Sequence, residues 1–132
     1  MLAFAHDRFA YPLPPGHRFP LGRYRMLREA LAADAGVEVR EARAATDAEL
    51  ALAHTPAYLA RAVGGGLSER EVRGLGLPWS PELVERARRS VGGTLQAARA
   101  ALEDGASANL GGGTHHAHPD GGRGFCMFND VV

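Results

Sequence analysis

Apolar and polar positions change period along the chain, and the changes separate strands from helices. Leu2 to Phe4 is a short apolar run and reads as a first strand. His6 to Phe19 is a loop of Pro, Gly and aromatic residues, long enough to suggest a site-lining segment. A helix is expected from Gly22 to Ala33, with Leu27, Ala30 and Leu31 on its apolar face and Gly36 as its stop. Val37-Glu38-Val39 alternates and reads as a short strand. Thr46 with Glu49 forms a capping box that opens a helix through about Leu52. Thr55-Pro56 starts another, running to about Val63 and ending in Gly64-Gly65-Gly66. Ser68 with Glu71 is a second box.

The clearest helix begins at Ser80-Pro81. Val84, Ala87, Val91, Leu95, Ala98 and Leu102 then recur at spacings of three or four, making one apolar stripe. Gly92-Gly93 inside it costs about 1 kcal/mol per residue relative to Ala, which points to close packing against a sheet. Gly105 ends the helix, and Ala106 to Leu110 is a further strand candidate. Alternating strands and helices make the class α/β with a parallel sheet. No internal repeat or low-complexity tract interrupts it.

Composition narrows the function. The chain has 132 residues, enough for one small domain. Fifteen basic and fifteen acidic side chains cancel, which argues against direct nucleic-acid binding. All fifteen basic residues are arginine. The single cysteine excludes a disulfide framework and fits a reducing compartment, so a cytoplasmic location is expected. No apolar run is long enough for a membrane span or a secretory core.

The chemistry concentrates in residues 111–130, GGGTHHAHPDGGRGFCMFND. His115, His116 and His118 fall within four positions, framed by glycines and followed by the only cysteine, Cys126. Histidines after a strand and a triple glycine can point into a cleft at the strand's carboxyl end, where open α/β sheets bind ligands. Three chemistries fit. His115 and His116 could act as base and acid on a metal-activated water. His115, His118 and Cys126 could ligate zinc. Cys126 could be a nucleophile with His115 or His116 as its base. The aromatic and thioether neighbours of Cys126 favour a buried structural thiol. Phe128 reads as core, His54 and His6 as structural histidines, and Trp79 as a packing anchor.

The segment GGGTHHAHPDGGRGFCMFNDVV closely resembles the signature of the arginase/deacetylase superfamily, specifically histone deacetylases and their bacterial relatives. The loop at His17 to Pro20 resembles that of the class IV branch. HTPAYL at His54 to Leu59 and the stretch Leu77 to Leu95 also resemble family segments. The resemblance implies a three-layer α-β-α fold with a mostly parallel open sheet. It also implies zinc-dependent hydrolysis of an acetyl or acyl group from a lysine side chain or related amine. His115 would stand against the zinc-bound water, and His116 would serve as general base and then general acid. Gly124 would offer its carbonyl to the substrate amide. Phe125 would wall the tunnel, Cys126 would pack beneath it, and Phe19 and Pro20 would lie near the mouth.

The family's zinc ligands, an Asp-x-His pair and a later Asp, together with its late tyrosine, have no counterpart in this chain. The expectation is therefore an N-terminal portion, residues 1–132, of a deacetylase-like domain, inactive alone and without metal ligands of its own. Such a portion would associate with a C-terminal half or with itself through an open sheet edge. Two other functions fit the residues: a non-catalytic interaction domain on a degenerate deacetylase fold, and a cysteine hydrolase.

Overall fold

β1 (Leu2–Ala5) runs through the centre of a three-stranded, all-parallel sheet of order β2-β1-β3. The computed structural model describes residues 1–132. β2 (Glu38–Glu41) pairs Ala3 with Val39, and β3 (Ser107–Asn109) pairs Ala3 with Ala108. Successive β1 side chains point to opposite faces. Phe4 packs with Ala42, Ala97 and Ala100 on one face, while Ala3 and Ala5 pack with Leu31 and Leu110 on the other. Helices thus cover both faces, giving the open α/β architecture the sequence implies.

The helix ends follow local chemistry. α1 (Gly22–Ala32) precedes β2, and α2 (Asp47–Leu50) opens on the complete Thr46–Glu49 capping box. α3 (Pro56–Gly64) has Thr55 as its cap and left-handed Gly65 as its stop. α4 (Glu69–Leu75) carries the Ser68–Glu71 box and stops at left-handed Gly76. α5 (Pro81–Asp104) begins at Ser80, whose hydroxyl accepts the Leu83 N–H, and stops at left-handed Gly105. Each Gly stop uses the freedom of a residue without Cβ to adopt positive φ.

Three expectations shift. α1 ends at Ala32, with Ala33 as its cap, and Gly36 is not its stop. Its buried side runs through Tyr24 and half-buried Leu31, while Leu27 and Ala30 are exposed. Tyr24, Arg28 and Leu31 lie at helical spacing, and Arg28 binds Asp7 after β1, so the tyrosine sets the docked face. On α5 the stripe holds as far as Leu95, which packs on the main core, and fails at exposed Ala98. Beyond Leu95, Ala97 and Ala100 are buried and Leu102 is 89% exposed. The helix crosses the sheet at Gly92-Gly93, and its direction over β1 and β3 selects the alanine face. A Cβ on Gly92 would fall far inside contact distance of the Arg43 carbonyl, and one on Gly93 would press Asn109 and Ala42. Close packing is therefore the reason for the glycine pair.

The main core gathers Leu50, Tyr58, Leu75, Leu83, Val91 and Phe128 beneath the loop elements. Trp79 anchors it as expected, donating to the Ala62 carbonyl at 2.7 Å and resting on Gly65. No helix is long and apolar enough to cross a membrane.

Candidate functional site

A cleft of about 320 Å³ opens at the carboxyl ends of β1 and β3. From β1 the chain builds outward first to β2 and later to β3 on the opposite side. That reversal leaves a crevice between the two strand ends, the place where open α/β sheets take ligands. His6 leaves β1 into it, and residues 111–116 leave β3 into it. The two meet closely: a Cβ on Gly111 would overlap the His6 ring.

His115 and His116 stand at the exposed lip, their rings 4.2 Å apart and tilted by 41°. A polar chain from α5 sets the loop that carries them. Asn109 donates to the Ser90 carbonyl at 2.9 Å and to the Thr94 hydroxyl at 2.8 Å, and its own oxygen accepts the Gly111 N–H. Thr94 donates onward to Asp130 at 2.6 Å, and Asp130 accepts the Thr114 N–H at 2.7 Å. Both ends of the GGGT segment are thereby tied to one helix. Asp130 is buried, and its carboxylate has two donors to satisfy it.

The opposite wall is Gly124-Phe125-Cys126. Gly124 has φ +57° and Phe125 has φ +68°, a conformation that costs a non-Gly residue roughly 1–2 kcal/mol. Hydrogen bonds hold it there: Phe125 N–H donates to the Leu75 carbonyl at 2.8 Å, and Arg123 and Cys126 bridge across the turn. A Cβ on Gly124 would touch the His116 ring. The Phe125 ring sits on Gly76 and meets Phe19 edge-on at 5.3 Å. His17 fixes the Phe19 loop, since its Nδ1 accepts the Phe19 N–H, leaving Nε2–H to donate to the Gly76 carbonyl at 3.1 Å.

The cleft therefore brings together His115, His116, Phe19, Gly124, Phe125 and Cys126. Pro20 is not among its lining residues; it is exposed, and its carbonyl accepts the Arg23 N–H at the start of α1. Cys126 is buried, with its thiol 3.6 Å from the Gly124 carbonyl. Burial pushes that thiol up, the opposite of what a thiolate nucleophile needs.

The floor holds His6, expected as a structural histidine, and Arg86, which the sequence reading did not single out. His6 is 4% exposed, its Nδ1 has no partner, and burial followed by the Arg86 charge pushes its pKa down to about 3. It is neutral at the pH where imidazoles ordinarily titrate. Arg86 is 5% exposed, donates to the Phe9 carbonyl, and lies over the rings of Tyr24 and Tyr11. The signal for His6 was its place at a strand's carboxyl end. The signal for Arg86 was a charge three residues after Leu83 on the buried side of α5.

His118 does not join this group. It is exposed and pairs with Gly121 across a turn. His54 is structural: its Nε2 accepts the Asn129 N–H at 2.8 Å, and its Nδ1 faces the Pro119 carbonyl. No three His, Cys, Asp or Glu side chains converge anywhere in the structure. The His115, His118 and Cys126 ligand set is thus not assembled, and these residues do not fit the three-ligand site of a catalytic zinc.

Residues 17–132 match the histone deacetylase domain family. The chain is 40% identical over 130 residues to an uncharacterized protein of Picosynechococcus sp., covering 96% of this chain and 43% of that protein. It is 38% identical over 117 residues to the acetoin utilization protein AcuC of Bacillus subtilis, covering 81% and 30%. A probable deacetylase of Methanothermobacter thermautotrophicus is 46% identical over 54 residues, covering 40% and 16%. The chain spans less than half the length of each of these relatives.

Proposed function

Because the chain belongs to the histone deacetylase domain family, we propose that it supplies the histidine pair and one tunnel wall of a hydrolase that removes an acetyl or acyl group from a lysine side chain or related amine. The observation that carries the proposal is that the paired His115 and His116 rings and the Gly124-Phe125 wall line one cleft. The alkyl stem of an acyl-lysine is slender and apolar, and Phe125 and Phe19 offer it an aromatic wall. The Gly124 carbonyl receives the substrate amide N–H. His116 takes the proton of the attacking water and returns it to the leaving amine, with His115 beside it.

The proposal includes zinc dependence, with the metal's ligands supplied from outside residues 1–132. This segment then acts as the N-terminal portion of a larger cytoplasmic enzyme, without direct nucleic-acid contact, and joins its complement or a second copy along the free edge of β3. That edge is Ser-Ala-Asn, whereas the β2 edge carries Glu38, Arg40 and Glu41, charges that discourage strand addition. Two measurements test the reading. The 132-residue chain supplied with zinc is expected to show no turnover of an acetyl-lysine peptide. A longer protein containing it is expected to hydrolyse the peptide, with chelator sensitivity and loss of turnover in His116→Ala. Turnover by the short chain, or by the longer His116→Ala protein, would contradict it.

A further inference from the structure

The net charge of zero conceals an uneven distribution. Nine of the fifteen arginines have a carboxylate oxygen within 4.0 Å, and Arg8, Arg18, Arg23, Arg70, Arg86 and Arg123 do not. Two of those six line the cleft and two more adjoin its lining residues. Arg23 and Arg86 line it. The Arg18 guanidinium lies 5.0 Å over the Phe125 ring, and Arg123 immediately precedes Gly124. No aspartate or glutamate lines the cleft. Of the carboxylates beside it, Asp7 is paired with Arg28, while Asp130 is held by the neutral Thr94 and Thr114 donors behind the loop, so the arginines outnumber the unpaired carboxylate. A cleft with an excess of one sign of charge at its rim focuses that field outward onto an approaching ligand.

An acylated lysine has lost its own charge, so the group that enters the cleft does not respond to this field. The residues on either side of it do. Polyamines and arginine- or lysine-rich tails bring further cations toward Arg18 and Arg23, a like-charge juxtaposition that disfavours them. Segments rich in aspartate and glutamate bring the complementary sign. Resting on the deacylase reading above, we propose that the substrate of this cleft is an acyl-lysine flanked by acidic residues, and that Arg18 and Arg23 at the rim set this preference.

Fluorescence anisotropy of the 132-residue chain tests it with labelled decapeptides. Each has a central acetyl-lysine, flanked by glutamates in one and arginines in the other. The acidic peptide is expected to bind about tenfold more tightly at low salt, with the advantage shrinking as added salt screens the rim. Arg18→Glu and Arg23→Glu, both at exposed positions, are expected to abolish or reverse the preference while leaving the urea midpoint unchanged. Equal binding, tighter binding of the basic peptide, absence of binding by either, or a preference untouched by both substitutions would overturn the proposal. A third peptide, acidic but with unmodified lysine, separates the two claims. If it binds as well as its acetylated form, the cationic cleft stands and the deacylase reading falls.

Discussion

Two glycine clusters do different work in this molecule. Gly92-Gly93 lies inside α5 and brings two pieces of backbone together, the helix and the segment at Arg43 to Ala45. Gly111 to Gly113 lies after β3 and brings a loop against a side chain, the buried ring of His6. The first is a packing device with no give, because a carbonyl stands where a Cβ would go. The second is a site device, because what stands there is an imidazole in a cleft wall. Similar composition thus marks a fixed crossing in one place and an adjustable one in the other.

Gly92→Ala is expected to be the most damaging change, costing about 3 kcal/mol in urea unfolding, since the clashing carbonyl belongs to backbone. No side-chain substitution should rescue it. Gly111→Ala is expected to cost about 2 kcal/mol. Here rescue is expected: in a His6→Ala background the added methyl should cost at least about 1 kcal/mol less, a coupling a double-mutant cycle reads directly. Lack of coupling would erase the distinction between the clusters.

The His6 side of the comparison also has a pH signature. Its pKa is about 3 in the folded chain and near 6.5 when unfolded, so the unfolded state binds the proton first. Its contribution is fully present above pH 6.5 and is lost as pH falls toward 3. Between pH 6.5 and 5 the loss is about 2 kcal/mol. Arg86, Asp7 and Arg89 face the ring and modulate it. Urea midpoints across this window should fall more steeply for the native chain than for His6→Asn, and parallel slopes would refute the burial argument. The smallest effect concerns the polar chain. Asp130→Asn removes the acceptor of the Thr94 hydroxyl and leaves the Thr114 N–H only a neutral, weaker acceptor, costing about 1 kcal/mol. Amide exchange should accelerate at Thr114 and remain unchanged at Ala45, beside the Gly92 crossing.

The comparison also shows what a sequence displays and what it withholds. Helix starts at Thr46, Thr55, Ser68 and Ser80, and stops at Gly65 and Gly105, are local hydrogen-bonding and φ requirements, and each stands where the residues place it. The buried face of α1 was not legible, because Tyr24 docks through Asp7–Arg28, a pairing across 21 residues. The end of the α5 stripe was lost for a similar reason, since its crossing direction depends on distant strands. At the site, His115, His116, Gly124 and Phe125 form one contiguous motif, and Phe19 joined them through the resemblance of its loop. His6, Arg86 and Asp130 converge from three separated segments. Their burial emerges only once β1, α5 and the post-β3 loop have been packed together.

The central claim is that the crevice between β1 and β3 receives an acyl-lysine against the His115-His116 pair. Imidazole-resolved NMR tests it most directly, titrating the 132-residue chain with a blocked Nε-acetyl-lysine amide. The account predicts saturable shifts at His115, His116 and the Phe125 ring, with His118 and His54 unmoved. Shifts confined to His118, equal shifts at every exposed histidine, or no response at the pair would contradict it.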